Sequence, residues 1–206
     1  KVFYWSPFFT NIATIKAVVR SAESLVKFPL PGSFKVSLID AIGEWDSNSI
    51  DIDKKISIVK LNKVKLVNYL PKNSFIKSRF SYFIIFFWNF FKLKNLVNKE
   101  KPNYLVIHLM TSLPIILTSF FNSNTKVILR ISGFPKLTIF RLFFWRIMLS
   151  KIEWIFSPTN YTKEMLKKNF PTEVNKIKLV RDPIFSYKEI IEYKKKYNLI
   201  KKRKNF

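Results

Sequence analysis

Short apolar runs that stop abruptly at small or polar residues are what most constrain the fold of this chain. Lys126-Val127-Ile128-Leu129-Arg130-Ile131 runs into Ser132-Gly133-Phe134-Pro135. Ile155-Phe156 stops at Ser157-Pro158-Thr159, and Ile177-Lys178-Leu179-Val180 at Arg181-Asp182-Pro183. Val2 to Trp5, Phe34 to Ile39, Ile56 to Leu61 and Tyr104 to Leu109 read the same way, with Val64 to Leu70 a candidate extra strand. Between them, Ile15, Val18, Val19, Ala22, Leu25 and Val26 have helical spacing. Further helices are expected over 74–99, 113–121, 137–151, 160–169 and 186–200. Strands alternating with helices predict an α/β chain: a Rossmann-like, open, mostly parallel sheet with helices on both faces. Strands of such a sheet are buried on both sides, which is why their runs are nearly continuous. Ligands bind outside their carboxyl ends.

The 206 residues, 48% hydrophobic, fit one domain or one and a small part of another. The expected division is a Rossmann-like domain over 1–185 and a basic helical linker or tail over 186–206. The chain opens on Lys1 with strand-like residues at once, so it is expected to begin inside a fold. It has no cysteine and one histidine, which excludes disulfides and thiolate sites and argues against a histidine-built metal centre. No metal and no resident cofactor are expected. The net charge is +24, of which seven lie in residues 193–206, so +17 remains on residues 1–192. Such a field attracts phospholipid, nucleotide-sugar phosphate or nucleic acid. The chain lacks a recognition helix, zinc finger or ribonucleoprotein motif, so no nucleic acid is expected. The apolar stretch Tyr82 to Phe91 is much shorter than the roughly 20 residues a bilayer span needs. It reads as a core helix whose outer aromatic side meets a partner or a membrane interface.

Candidate site residues follow from the strand ends. His108 can hydrogen-bond a ligand hydroxyl or sit packed and satisfied. Arg130, beside Ser132 and Gly133, can grip a phosphate in a two-pronged fashion or form an inter-strand ion pair. Ser157 offers a hydroxyl in the same layer, with Thr159 or Asn160 as a helix cap. Arg181 and Asp182 face the cleft or pair with neighbours. Asp40 and Glu44 can meet ligand hydroxyls, although residues 41–54 read as a polar loop with Glu44 solvated. In the helix over 137–151, Arg141 and Arg146 can meet anionic headgroups while Phe144 and Trp145 enter the interface. The alternative is a core helix with snorkelling arginines.

The order of these segments resembles the N-terminal domain of family-four retaining glycosyltransferases, which have the two-Rossmann GT-B architecture. Pro102 to His108 is similar to that family's Pro-Asp-Val-Val-His strand. Ser157-Pro158-Thr159 with Thr162, Glu164 and Leu166 is similar to its Ser…Glu-x-Leu unit, and Arg181-Asp182-Pro183-Ile184 stands where it usually has Asn-Gly-Val-Asp. The resemblance implies the acceptor-binding half of an enzyme that moves a sugar from a nucleotide-sugar to a glycan or lipid-linked acceptor in surface polysaccharide or lipopolysaccharide synthesis. It implies a truncated fragment, inactive alone, lacking a C-terminal donor-binding domain. The implied location is the cytoplasm, at the inner face of a bacterial plasma membrane. Two positions depart from the family. Its Gly-Gly loop is replaced by Thr10-Asn11-Ile12-Ala13-Thr14, where Asn11 or Thr14 caps a helix whose amides face phosphate. Its histidine after the strand over 126–131 is replaced by Ser132. The alternative function is a non-catalytic basic module at a membrane surface.

Overall fold

A computed structural model describes residues 1–9, 13–27, 34–46, 51–71, 75–109, 111–121, 124–133, 137–183, 185 and 187–203. Seven strands form one sheet: β1 (Val2–Trp5), β2 (Val36–Asp40), β3 (Ser57–Lys60), β4 (Tyr104–Ile107), β5 (Lys126–Arg130), β6 (Trp154–Ser157) and β7 (Ile177–Leu179). Their order is β3-β2-β1-β4-β5-β6-β7, and every pairing is parallel. This is the expected α/β Rossmann-like sheet. β1 and β2 are buried along their whole length, whereas the edge strand β3 is largely exposed and carries Lys60.

Alternation along the strands divides the core in two. Val2, Tyr4, Val36, Leu38 and Val106 point to one face, where α1 (Ala13–Lys27) covers them with Ile15, Val18, Val19 and Ala22. Phe3, Trp5, Ile39, Leu105, Ile107, Val127 and Leu129 point to the other. That face is covered by α2 (Phe75–Glu100), α3 (Ser112–Phe120), α4 (Ile139–Leu149) and α5 (Asn160–Asn169). A last helix, α6 (Tyr187–Arg203), approaches α1 through an Arg20–Glu189 ion pair of 3.9 Å.

Two sequence expectations are corrected. Val64 to Leu70 is no strand: Leu66–Asn68 is a 3-10 turn, with Val67 and Leu70 buried and the Val67 amide donating to the Ile42 carbonyl at 2.9 Å. Apolar positions three apart in so short a run do not separate a turn from a strand. In α4, Phe144 and Trp145 are half-buried, pack against the core and meet edge to face at 5.7 Å. The outward positions are instead Ile139, Phe140, Phe143 and Ile147, with Arg146 exposed and Arg141 half-buried. The sheet claims whichever side of an all-round apolar helix fits it, and composition does not name that side.

Candidate functional site

Sequential strands step outward from β1 in one direction to β3, and from β4 in the other to β7. The order therefore reverses between β1 and β4, and that is where an open parallel sheet opens a crevice beyond its carboxyl ends. Ser6 follows β1 there and His108 follows β4. The His108 amide donates to the Trp5 carbonyl at 2.8 Å, which carries the ladder one step further.

His108 is only 1% exposed and stacks on Tyr4, with ring centroids 6.2 Å apart. The Tyr4 hydroxyl lies 3.0 Å from Ser21 Oγ, which ties this pair to α1. Burial pushes the Tyr4 phenol up, against the Ser21 hydrogen bond and the Arg130 charge. Burial pushes the imidazole of His108 down to about 3, helped by the nearby Arg130 cation. Neither ring nitrogen, nor Ser6 Oγ, has a hydrogen-bond partner among the described residues. A buried polar group left unpaired costs about 1–3 kcal/mol, so these three atoms keep an unused capacity to bind.

His108 is the chain's one histidine, so a single imidazole signal reports it by NMR. That signal is expected to stay at its neutral position from pH 8 to about pH 5. A midpoint near the ordinary 6.5 would mean that the ring is exposed. The unfolded chain takes up a proton near 6.5 and the folded one only near 3. This group's contribution to stability is therefore present above about 6.5 and lost as pH falls toward 3.

Arg130 ends β5 on the same sheet face as Tyr4, two residues after Ile128. It is 5% exposed, and its guanidinium is engaged: Nε and Nη2 donate to Asp182 Oδ1 at 2.9 and 2.6 Å, and Nη2 to the Arg181 carbonyl at 3.0 Å. The structure shows an ion pair, formed not between strands but with the segment after β7, which it clamps onto β5. Arg181 takes part through its carbonyl and is itself exposed.

The other candidates divide. Ser132 and Gly133 lie exposed just past β5, and a methyl group added at Gly133 would meet nothing within 4 Å. Ser157 is fully buried on the opposite sheet face, following Ile155. It donates to the Thr159 carbonyl at 3.0 Å, closing the turn into α5. Thr159 Oγ1 accepts from the Thr162 amide at 3.1 Å as the α5 cap. Thr14 is half-buried in the first turn of α1, whose amino end carries positive partial charge. Asn11 lies outside the described residues.

Glu44 overturns its solvated reading. It is buried, with Oε1 accepting from the Ala41 amide at 3.1 Å and Oε2 from the Ile42 amide at 2.7 Å. Asp40 Oδ1 accepts from the Gly43 and Glu44 amides at 2.6 and 3.2 Å. Burial, then the neighbouring Asp40 carboxyl, raise the Glu44 carboxyl well above the ordinary range. Asp40-Ala41-Ile42-Gly43, an aspartate three residues before a glycine, was the available signal for this turn. The pair closes the end of β2 and does not reach the β1/β4 crevice through any hydrogen bond among the described residues.

Open clefts lie at the opposite edge of the sheet, one between Lys1, Phe34, Asn103 and Lys126, where parallel sheets do not bind ligands. Among the described residues no cluster of histidine and carboxylate side chains is placed to hold a metal ion.

No protein-family model matches this chain, and no curated protein matches it. Among solved structures it is similar to the UDP-GlcNAc 2-epimerase from Methanocaldococcus jannaschii, with a TM-score of 0.50 and 13% identity, over 89% of this chain and 45% of that one. The chain thus spans less than half of that enzyme. At this identity the likeness concerns the fold alone: the chain is an open, all-parallel Rossmann-like α/β unit of the GT-B-like kind.

Proposed function

We propose that this chain is the acceptor-binding Rossmann-like half of a glycosyltransferase that uses a nucleotide-sugar and acts on a glycan or lipid-linked acceptor. The observation that carries the reading is the β1/β4 switch point, where His108 and Ser6 present buried polar atoms unmatched by the described protein groups. The similar solved structure is that of a UDP-GlcNAc 2-epimerase, which favours sugar-nucleotide chemistry over other uses of such a sheet.

In this role a neutral His108 offers one N–H donor and one bare nitrogen, the pairing that a sugar hydroxyl matches by accepting and donating. Ser6 Oγ adds a second donor-acceptor. The Arg130–Asp182 pair holds the chain after β7 against the end of β5, the strand next to β4. In transfer, the acceptor oxygen bonds to the anomeric carbon as the sugar–diphosphate bond breaks, and the hydroxyl proton passes to the departing phosphate. This half contributes position and part of the positive field; the chemistry also needs groups that hold the nucleotide.

The test is binding. The His108 ring signals are recorded while nucleotide-sugars and lipid-linked saccharides are added in turn. At least one ligand is expected to shift them in a saturable way, and indifference to the whole panel would remove the proposal.

A further inference from the structure

We infer that the outer face of the α2–α3–α4 layer docks on an anionic lipid bilayer, lying against it without crossing it. On α2, Phe80, Phe83, Phe87 and Phe91 recur at steps of three and four, and each is well over half exposed, Phe87 by 70%. The opposite side of the same helix is buried through Ile85, Leu93 and Val97. Next to α3, the α4 helix adds Phe140, 87% exposed, and Phe143. At roughly 200 Å² per whole phenyl side chain, these six rings present on the order of 800 Å² of apolar surface, above what a soluble surface normally leaves open.

Charge names the occupant. The three helices hold seven Lys and Arg and one acid, Glu100, which is already paired with Lys1 at 3.0 Å. Between Phe75 and Leu149 the sequence has no other acidic residue. Lys94 Nζ stands 3.9 Å from the Phe121 ring centroid and Lys92 Nζ 4.7 Å from that of Trp88, so cations sit level with the aromatic rings. Aromatic side chains beside a layer of cations match acyl boundary and anionic headgroups. A second copy of this face would bring like charges together. No helix among the described residues is long and apolar enough to cross a membrane. The inference does not rest on sugar transfer.

Flotation with vesicles tests it, comparing pure phosphatidylcholine with a mixture containing phosphatidylglycerol. The protein is expected to float with the mixed vesicles at low salt and to be released as salt rises. Phe83→Ser, Phe87→Ser and Phe91→Ser together are expected to weaken binding by at least about tenfold. Phe87→Ser alone, with circular dichroism unchanged, should weaken it measurably if the triple variant misfolds. Lys94→Glu with Arg146→Glu should remove the preference for phosphatidylglycerol. Failure to float with the mixed vesicles overturns the inference. So does undiminished binding by folded Phe variants, or a dimer that the Phe substitutions abolish in a protein that never binds vesicles.

Discussion

Asp182→Asn is expected to destabilise the fold by roughly 2–3 kcal/mol, read as a lower urea midpoint with an unchanged slope. Arg130 is a buried cation, and a single carboxylate oxygen takes two of its hydrogen bonds. Asparagine keeps the shape and one acceptor but removes the compensating charge. Stripping one partner from a fully buried pair typically costs about 3–5 kcal/mol. The lower figure applies because Asp182 is 33% exposed, so water screens part of the loss. The companion variant, Asp182→Asn with Arg130→Met, should recover much of it, since the stranded charge goes as well. A change below about 0.5 kcal/mol in the single variant would show that the pair is surface decoration. Its effect on ligand shifts at His108 should exceed that of any change on β3, because Arg130 lies close enough to influence the imidazole electrostatically.

Gly43→Ala is expected to lower the thermal midpoint by about 5–12 °C, from a loss of roughly 2–4 kcal/mol. Gly43 has φ +85°, a conformation that side chains resist, and a Cβ there would stand 2.9 Å from the Lys65 Cα. That neighbour is backbone and cannot swing away. The turn also aims the Gly43 amide at Asp40 and the Ala41 and Ile42 amides at Glu44, so a shift would loosen two buried carboxyls together. A drop under about 2 °C would show that the Lys65 segment yields freely.

All seven strands were legible: in β1 and β2 burial on both faces leaves no polar alternation to obscure the runs, and the stops at Ser6, Asp40, His108, Ser157 and Arg181 mark carboxyl ends. What the sequence concealed depends on partners far along the chain. Nothing local shows whether Arg130 grips a ligand or an ion-pair partner, since Asp182 is 52 residues away. Glu44 looks like a solvated acid until the turn folds its own amides around it. Phe144 and Trp145 look like the outward residues of α4 until the sheet selects the inward side. The capacity left on His108 and Ser6 is likewise invisible, because both residue types are ordinarily satisfied when buried.

The reversed strand order also sets how the chain assembles. β4 to β7 each pair with the next strand after about twenty residues, whereas β1 meets β4 only when a stretch of about a hundred has closed, as the 102-residue bond from Lys1 to Asn103 records. A fivefold longer loop costs about 1.4 kcal/mol more to close. The first three strands pair over comparably short stretches, Val2 with Val36 and Ser37 with Ser57, so each group can zip up as a local unit and the β1/β4 join carries the large closure cost. The long Phe-rich helix α2 is the segment that spans this join, leading straight into β4 and packing its inner side on residues from both groups of strands.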